Sequence, residues 1–391
     1  MVTVIPVGVS SELFSHLNAQ LSCQHLAEEM AHRLALNDEQ LLEAVGQGYT
    51  ARQISFAELH GDQNLVRTIR EENGKQCSAT FLGRNFEVID HLRKGQYLPQ
   101  KPLRILEGGV GLTLWKYLDH FIPGLLATAR QWGYQGDGMP YEILELALLA
   151  REGGRVDAVE LDQRILSSLE EVLKKGLIMH QMECLTLHAS KIDSQKLAVD
   201  RDTETIVAYD RWMDYVNHFS RQVAARYEAL AVLHGGKAVD IGARIFLNQD
   251  VFATMRFSTA DLATFPLPDT YDLAWLVNIY HYMPTGLWWA LLIRTVATLS
   301  VATAEKKYGG ILVTNRFDLD PFVQSLPFVN RIGEFLILAG LELLEEVESP
   351  LEHNRKMIIA HRVQETPWLA EQVKKLRELG LCGNGIFTDV T

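Results

Sequence analysis

Three glycines and two acids are the residues of this chain whose spacing best fits a chemical task. In Arg104-Ile105-Leu106-Glu107-Gly108-Gly109-Val110-Gly111-Leu112-Thr113 an apolar run meets an acid, enters a glycine-rich turn and continues as a helical pattern. Glycine serves there because the chain turns sharply and a ligand can approach the backbone more closely than any Cβ allows. A second apolar run, Arg155–Val159, ends in Glu160-Leu161-Asp162 and leads into a helical pattern over Gln163–Lys175. A carboxylate at the carboxyl end of the neighbouring strand can accept hydrogen bonds from both hydroxyls of a ribose. Turn and acid together describe a nucleoside cradle; the bland reading is a tight turn and a capping acid. No Gly-Lys-Ser/Thr run follows the glycines, which disfavours nucleoside triphosphate hydrolysis.

Such a cradle needs strands to hold it. After Pro102, short apolar runs bounded by glycine alternate with helical stretches: Leu103–Leu106, Val156–Val159, Leu273–Val277 and Ile311–Thr314. Strands separated by helices pair in parallel through crossovers, so the expected class is α/β with a doubly wound, mostly parallel sheet. Glu334–Ala339 reads as a helix stopped by Gly340, and Leu341–Val347 with Lys356–His361 as an antiparallel terminal pair. Residues 1–100 have a helical pattern with a break at Gly46-Gln47-Gly48 and a capping box at Thr50/Gln53, and read as a helical cap domain. The α/β domain is expected over 101–365, with an insertion near 180–255, and a C-terminal helix and tail over 366–391. In the insertion, Tyr209–Phe219 mixes aromatics, acids and a histidine, fitting an amphipathic surface helix or a substrate lid.

At 391 residues the chain exceeds one minimal domain, and 47% hydrophobic with 22% charged residues suffices for a large core. A formal charge of −12 argues against a nucleic-acid surface. Four cysteines without paired spacing and histidines without HxxxH spacing point to no disulfide framework and no catalytic metal. The first residues lack a basic region ahead of an apolar one, so a cytoplasmic protein is expected. Leu287–Ala304 is almost wholly apolar, but Arg294 in its middle favours a buried helix over a membrane span.

The ILEGGVG and VDAVELD runs resemble the first two motifs of class I S-adenosyl-L-methionine (SAM)-dependent methyltransferases. Phe257–Leu262 and Phe265–Leu273 resemble the third and fourth. Gly309–Val313 is similar to the fifth strand, and Ala339–Leu343 to the element before the terminal strand pair. The likeness spans Pro102 to Arg362. It implies a Rossmann-like methyltransferase fold of seven strands with SAM as cofactor. By position, Glu107, Gly108, Gly109 and Gly111 would shape the methionine pocket, and Glu160 would bind the ribose. Asp261 and Leu262 would hold the adenine, and Asn278 would face the methyl group and the substrate. Pro140–Leu144 and Val277–Met283 further resemble segments of CheR-type protein-glutamate methyltransferases.

The separations are long. Gly111 and Glu160 lie 49 residues apart, and Cys184–His188 competes with Phe257–Thr259 for the third strand. His281 and Tyr282, after the fourth strand, are the candidates for proton transfer to or from an acceptor, with Tyr280 beside them. A small-molecule or peptide-like substrate fits the acidic composition. A nicotinamide-dependent oxidoreductase, an enzyme transferring another SAM-derived group and a non-catalytic methyltransferase-like scaffold are the competing readings.

Overall fold

In a computed structural model the alternation of apolar runs and helices becomes one central sheet with helices on both faces. The structure describes residues 5–37, 39–44, 67, 86–115, 125–150, 153–175, 177–179, 243–245, 253–267, 270–277, 279–316, 331–348, 356–383 and 385–390.

In chain order the strands are β1 (Arg104–Gly108), β2 (Thr113–Leu114), β3 (Gly138–Met139), β4 (Arg155–Glu160), β5 (Leu177–Met179) and β6 (Ala243–Ile245). They continue with β7 (Thr254–Thr259), β8 (Leu273–Leu276), β9 (Ile311–Arg316), β10 (Leu341–Glu348), β11 (Lys356–Arg362) and β12 (Thr388–Asp389). The helices are α1 (Ser11–Gln20), α2 (Cys23–Leu34), α3 (Phe86–Lys94), α4 (Leu125–Gln131) and α5 (Tyr141–Ala150). Then follow α6 (Gln163–Lys175), α7 (Thr285–Thr298), α8 (Ile332–Ala339) and α9 (Pro367–Glu378).

The main sheet has the order β10-β11-β9-β8-β1-β4-β7-β12. From β7 to β9 all neighbours are parallel, and β11 runs antiparallel to both β9 and β10. The chain winds outward from β1 through β4 to β7, then returns to β8 on the other side of β1 and winds out through β9. This is the doubly wound sheet of the Rossmann-like methyltransferase fold. Thr388–Asp389 adds an eighth, two-residue strand, antiparallel to β7, which no sequence pattern announces. The third position belongs to β7, so Phe257–Thr259 is a sheet strand; the rival Cys184–His188 lies outside the described residues.

Side chains alternate across the sheet, and both faces are covered. Ile105, Val156, Trp275 and Val313 bury against α3, α5 and α6. Leu106, Ala274 and Leu312 bury against α1, α2, α7, α8 and α9. The helices that precede the sheet are therefore divided between its two faces. Ser10, Ser22 and Thr366 cap α1, α2 and α9 by accepting a first-turn N–H. Gly340, in the left-handed region at φ +75°, ends α8 and lets β10 start at once.

Two local outcomes differ from the sequence pattern. The helix expected directly after the glycines is replaced by β2, antiparallel to β3. Trp115 secures this ribbon: its backbone N–H donates to Asp137 O at 2.9 Å and its indole N–H to Gly136 O at 2.8 Å. The helix that packs on β1 and β4 is α5, which explains the long spacing between Gly111 and Glu160. The expected insertion leaves and returns through the antiparallel pair β5–β6, which joins its two ends. Tyr209–Phe219, Gly46–Gly48 and the Thr50/Gln53 capping box lie outside the described residues.

The apolar segment around Arg294 forms α7, whose residues from Gly286 to Val296 are all buried. Among the described residues no helix is long and apolar enough to cross a membrane.

Candidate functional site

The glycine turn leaves β1 where the chain reverses its winding direction, and in open α/β sheets that crevice is where ligands bind. Gly109 and Gly111 take φ of +79° and +69°, a region costly for other residues. Side chains already crowd this backbone. A Cβ on Gly108 would lie 2.6 Å from Leu262 Cδ2 and 2.7 Å from Leu276 Cδ2, and one on Gly109 would lie 2.5 Å from Ile279 Cγ2.

Glu160, at the carboxyl end of β4, meets this turn directly. Its Oε2 accepts the N–H of Gly111 at 3.3 Å, and its Oε1 accepts those of Leu161 at 2.7 Å and Asp162 at 3.0 Å. The adjoining backbones are also stitched, Gly109 N–H to Val159 O at 2.9 Å and Ala260 N–H to Glu160 O at 3.0 Å. Burial pushes the Glu160 carboxyl up to about 7 against the pull of those three N–H donors.

Glu107 stands next to it, fully buried, and among the described residues neither of its oxygens has a hydrogen-bond partner. Burial first, then the carboxylates of Glu142, Glu160 and Glu145, hold it well above the usual range. Glu142 and Glu145 come from α5, and Glu142 accepts the indole N–H of Trp275 at 2.6 Å. An unpaired buried carboxyl amid like charges is costly for the fold and is well suited to a cationic ligand.

Asp261 and Leu262 follow β7. Leu262 packs over Gly108. Asp261 has its carboxylate in the fork of Arg33, which reaches over from α2: Nε donates to Oδ2 and Nη2 to Oδ1 at 3.0 Å. The Ala263 N–H donates to the same Oδ1 at 3.0 Å. The third arm of Arg33, Nη1, donates to Tyr282 O at 2.9 Å, so α2 ties the turn after β7 to the turn after β8. That second turn, Tyr280–Tyr282, is a 3-10 segment with His281 at its centre, and Tyr280 is buried edge-on to Trp288. Asn278 lies outside the described residues.

The structure thus brings together Glu107, Gly108, Gly109, Gly111, Glu160, Asp261 and Leu262 at one edge of the sheet, with Tyr282 linked to them through Arg33. Sequence reasoning missed Arg33, which lies before the stretch that carries the motifs. It also missed the part played by Arg294, which it noted only as a charge in an apolar run.

No family model and no curated protein matches the chain. Solved structures that resemble it include the magnesium protoporphyrin IX methyltransferase of Synechocystis PCC 6803 with bound SAM. It has 12% identity, covering 84% of this chain and 98% of that one, with a TM-score of 0.33. The N-methyltransferase NodS of Bradyrhizobium japonicum WM9 has 10% identity, covering 71% and 97%, with a TM-score of 0.30. The pyocyanin biosynthetic protein PhzM has 11% identity, covering 85% and 76%, with a TM-score of 0.27. The fold assignment rests on the chain's own strand order, which is that of the Rossmann-like methyltransferase sheet.

Proposed function

We propose that the chain is a SAM-dependent methyltransferase that delivers the methyl group in line to a small-molecule or peptide-like acceptor. The observation that carries this reading is the meeting of Gly111 and Glu160 at 3.3 Å, beside a buried Glu107 with no partner. Residues suited to a sugar and to a positive charge thereby lie side by side at the carboxyl ends of β1 and β4.

The donor set fits the cofactor. A carboxylate offers about four lone-pair sites, so three backbone donors leave Glu160 room for one sugar hydroxyl. Glu107 would meet positive charge at the methionine end of the turn. Asp261, Leu262 and the turn that contains them would hold the adenine. When bound, SAM supplies an electrophilic methyl group on a cationic sulfur. Everything else falls to the chain: Asn278 and the Tyr280–Tyr282 turn would position the acceptor opposite that methyl. Where the acceptor is a hydroxyl or an ammonium, His281 or Tyr282 would take its proton. Acceptor and methyl must sit within near-attack distance and in line, which makes positioning the main contribution of the protein. The charge of −12 disfavours nucleic acid as the acceptor.

Calorimetric titration of the purified protein with SAM, its demethylated product and NADH tests the reading. SAM and the product should both bind and NADH should not. Heat with NADH alone, or with none of the three at millimolar concentration, overturns it.

A further inference from the structure

We propose that Arg294 is a positioning residue for the nucleoside end of the site: from the buried middle of α7 its guanidinium sets the turn Asp261–Phe265 that presents Asp261 and Leu262. This rests on the SAM reading above and extends it to a residue on the far side of that turn.

Arg294 is 1% exposed and is the one charged residue of a helix otherwise made of leucine, tryptophan, alanine, isoleucine, valine, glycine and threonine. Burial lowers its basicity, to about 10, which still leaves it charged at neutral pH. Among the described residues no carboxylate is in contact with it. An apolar side chain would fill the same volume but offer no donors, so filling the core does not account for an arginine here.

What its arms do touch is one stretch of backbone. Nη1 donates to Phe265 O at 2.5 Å and Nη2 to Leu262 O and to Ala263 O, the latter at 2.9 Å; a longer contact of 3.4 Å reaches Leu381 O. Three of the four carbonyls between Leu262 and Phe265 are therefore drawn towards the core. Buried carbonyls outside helices and strands need such donors, and a planar guanidinium can serve several in fixed directions. With the carbonyls fixed inward, the amides follow. The N–H of Ala263 turns to Asp261 Oδ1 at 3.0 Å, and those of Thr264 and Phe265 turn to Asp261 O at 3.0 and 2.9 Å. The result places Leu262 on the glycine turn and Asp261 at the surface of the crevice, where Arg33 grips it from the other side. The turn is held between two arginines, one in the core and one on α2.

The test compares affinities for S-adenosylhomocysteine and for S-inosylhomocysteine, in which the adenine amino group is replaced by oxygen. Each is titrated into the wild type, Arg294→Met and Arg294→Lys, well below each protein's melting temperature. The wild type should prefer the adenosyl ligand. Arg294→Met should reduce that preference by about 10-fold, the value of one well-placed hydrogen bond. Arg294→Lys, which keeps a charged donor, should restore part of it. A variant that is merely less stable would weaken both ligands alike and leave the ratio unchanged. An unchanged ratio in both variants, or equal wild-type affinities, overturns the positioning role while the cofactor reading stands. No binding of either ligand by the wild type overturns both. Should Arg294→Met not fold, Arg294→Lys carries the same comparison, with partial loss of the preference expected and full retention overturning it.

Discussion

Asp157 and Glu107 are buried carboxyls on adjacent strands, one register step apart, and each is 0% exposed. Their surroundings could hardly differ more. Asp157 receives Arg256 in a two-pronged contact at 2.7 and 2.9 Å, the Tyr271 hydroxyl at 2.9 Å and Arg155 at 3.0 Å. The ring of Phe387, from the C-terminal segment, lies 5.1 Å from the Arg256 guanidinium. Among the described residues Glu107 receives no hydrogen bond, and the charges that act on it are the carboxylates of Glu142, Glu160 and Glu145. One face of the sheet uses its acid to hold strands together; the other keeps an acid unsatisfied just before the glycine turn. The first arrangement is complete within the fold, whereas on the proposed reading the second is completed by the cofactor.

The largest effect should come from dismantling the complete arrangement. Asp157→Ala leaves Arg256 and Arg155 without their shared counter-ion and strands the Tyr271 hydroxyl, so unfolding in urea should show a loss of about 3–5 kcal/mol. Affinity for S-adenosylhomocysteine, measured on the folded fraction, should stay at the wild-type value. A loss below about 1 kcal/mol would mean that the network does little for stability and that the contrast with Glu107 is empty.

The same contrast explains what the sequence could and could not announce. Glycines at 108, 109 and 111, an acid ending β1 and an acid ending β4 are local patterns, and the strands behind them follow from apolar runs between helical ones. Those features were legible because each is fixed by residues a few positions apart. Asp157 was not, because its partners Arg256 and Tyr271 arrive from segments about a hundred residues away. Arg33 was hidden for the same reason. Arg294 announces that it needs acceptors, but these are backbone carbonyls, and no residue type marks a carbonyl that points inward. The β2–β3 ribbon escaped because Thr113 and Leu114 suit either state, and Asp137 O, which receives the Trp115 N–H, decides between them.

A smaller effect should appear in pH dependence. In the free protein Glu160 titrates at about 7 rather than in the ordinary carboxylate range, and Glu107 is shifted in the same sense. A sugar hydroxyl donates to the ionised carboxylate and so pulls its pKa down on binding. Between the two values the bound form holds fewer protons than the free one, so binding releases protons and affinity rises with pH. Calorimetry of S-adenosylhomocysteine in buffers of different ionisation heat should show proton release near pH 6 that fades above pH 8. For one proton the affinity should gain at most about 10-fold per pH unit within that window. Proton uptake near pH 6 would place Glu160 away from the ligand.

The smallest change separates the two acids most sharply. Glu107→Gln keeps the shape of the side chain and removes its ability to ionise. Because burial and three neighbouring acids push the carboxyl towards its neutral form, the unliganded protein should lose less than about 1 kcal/mol and can gain. SAM, which carries positive charge, should nonetheless bind about 10-fold more weakly, since the charge that would answer it is gone. The demethylated product lacks the sulfonium, so any part of the loss specific to SAM reports contact with the sulfur, and a loss shared by both ligands reports contact with the ammonium. If the substitution instead destabilises the protein as strongly as Asp157→Ala, Glu107 belongs with Asp157 as a residue of the fold.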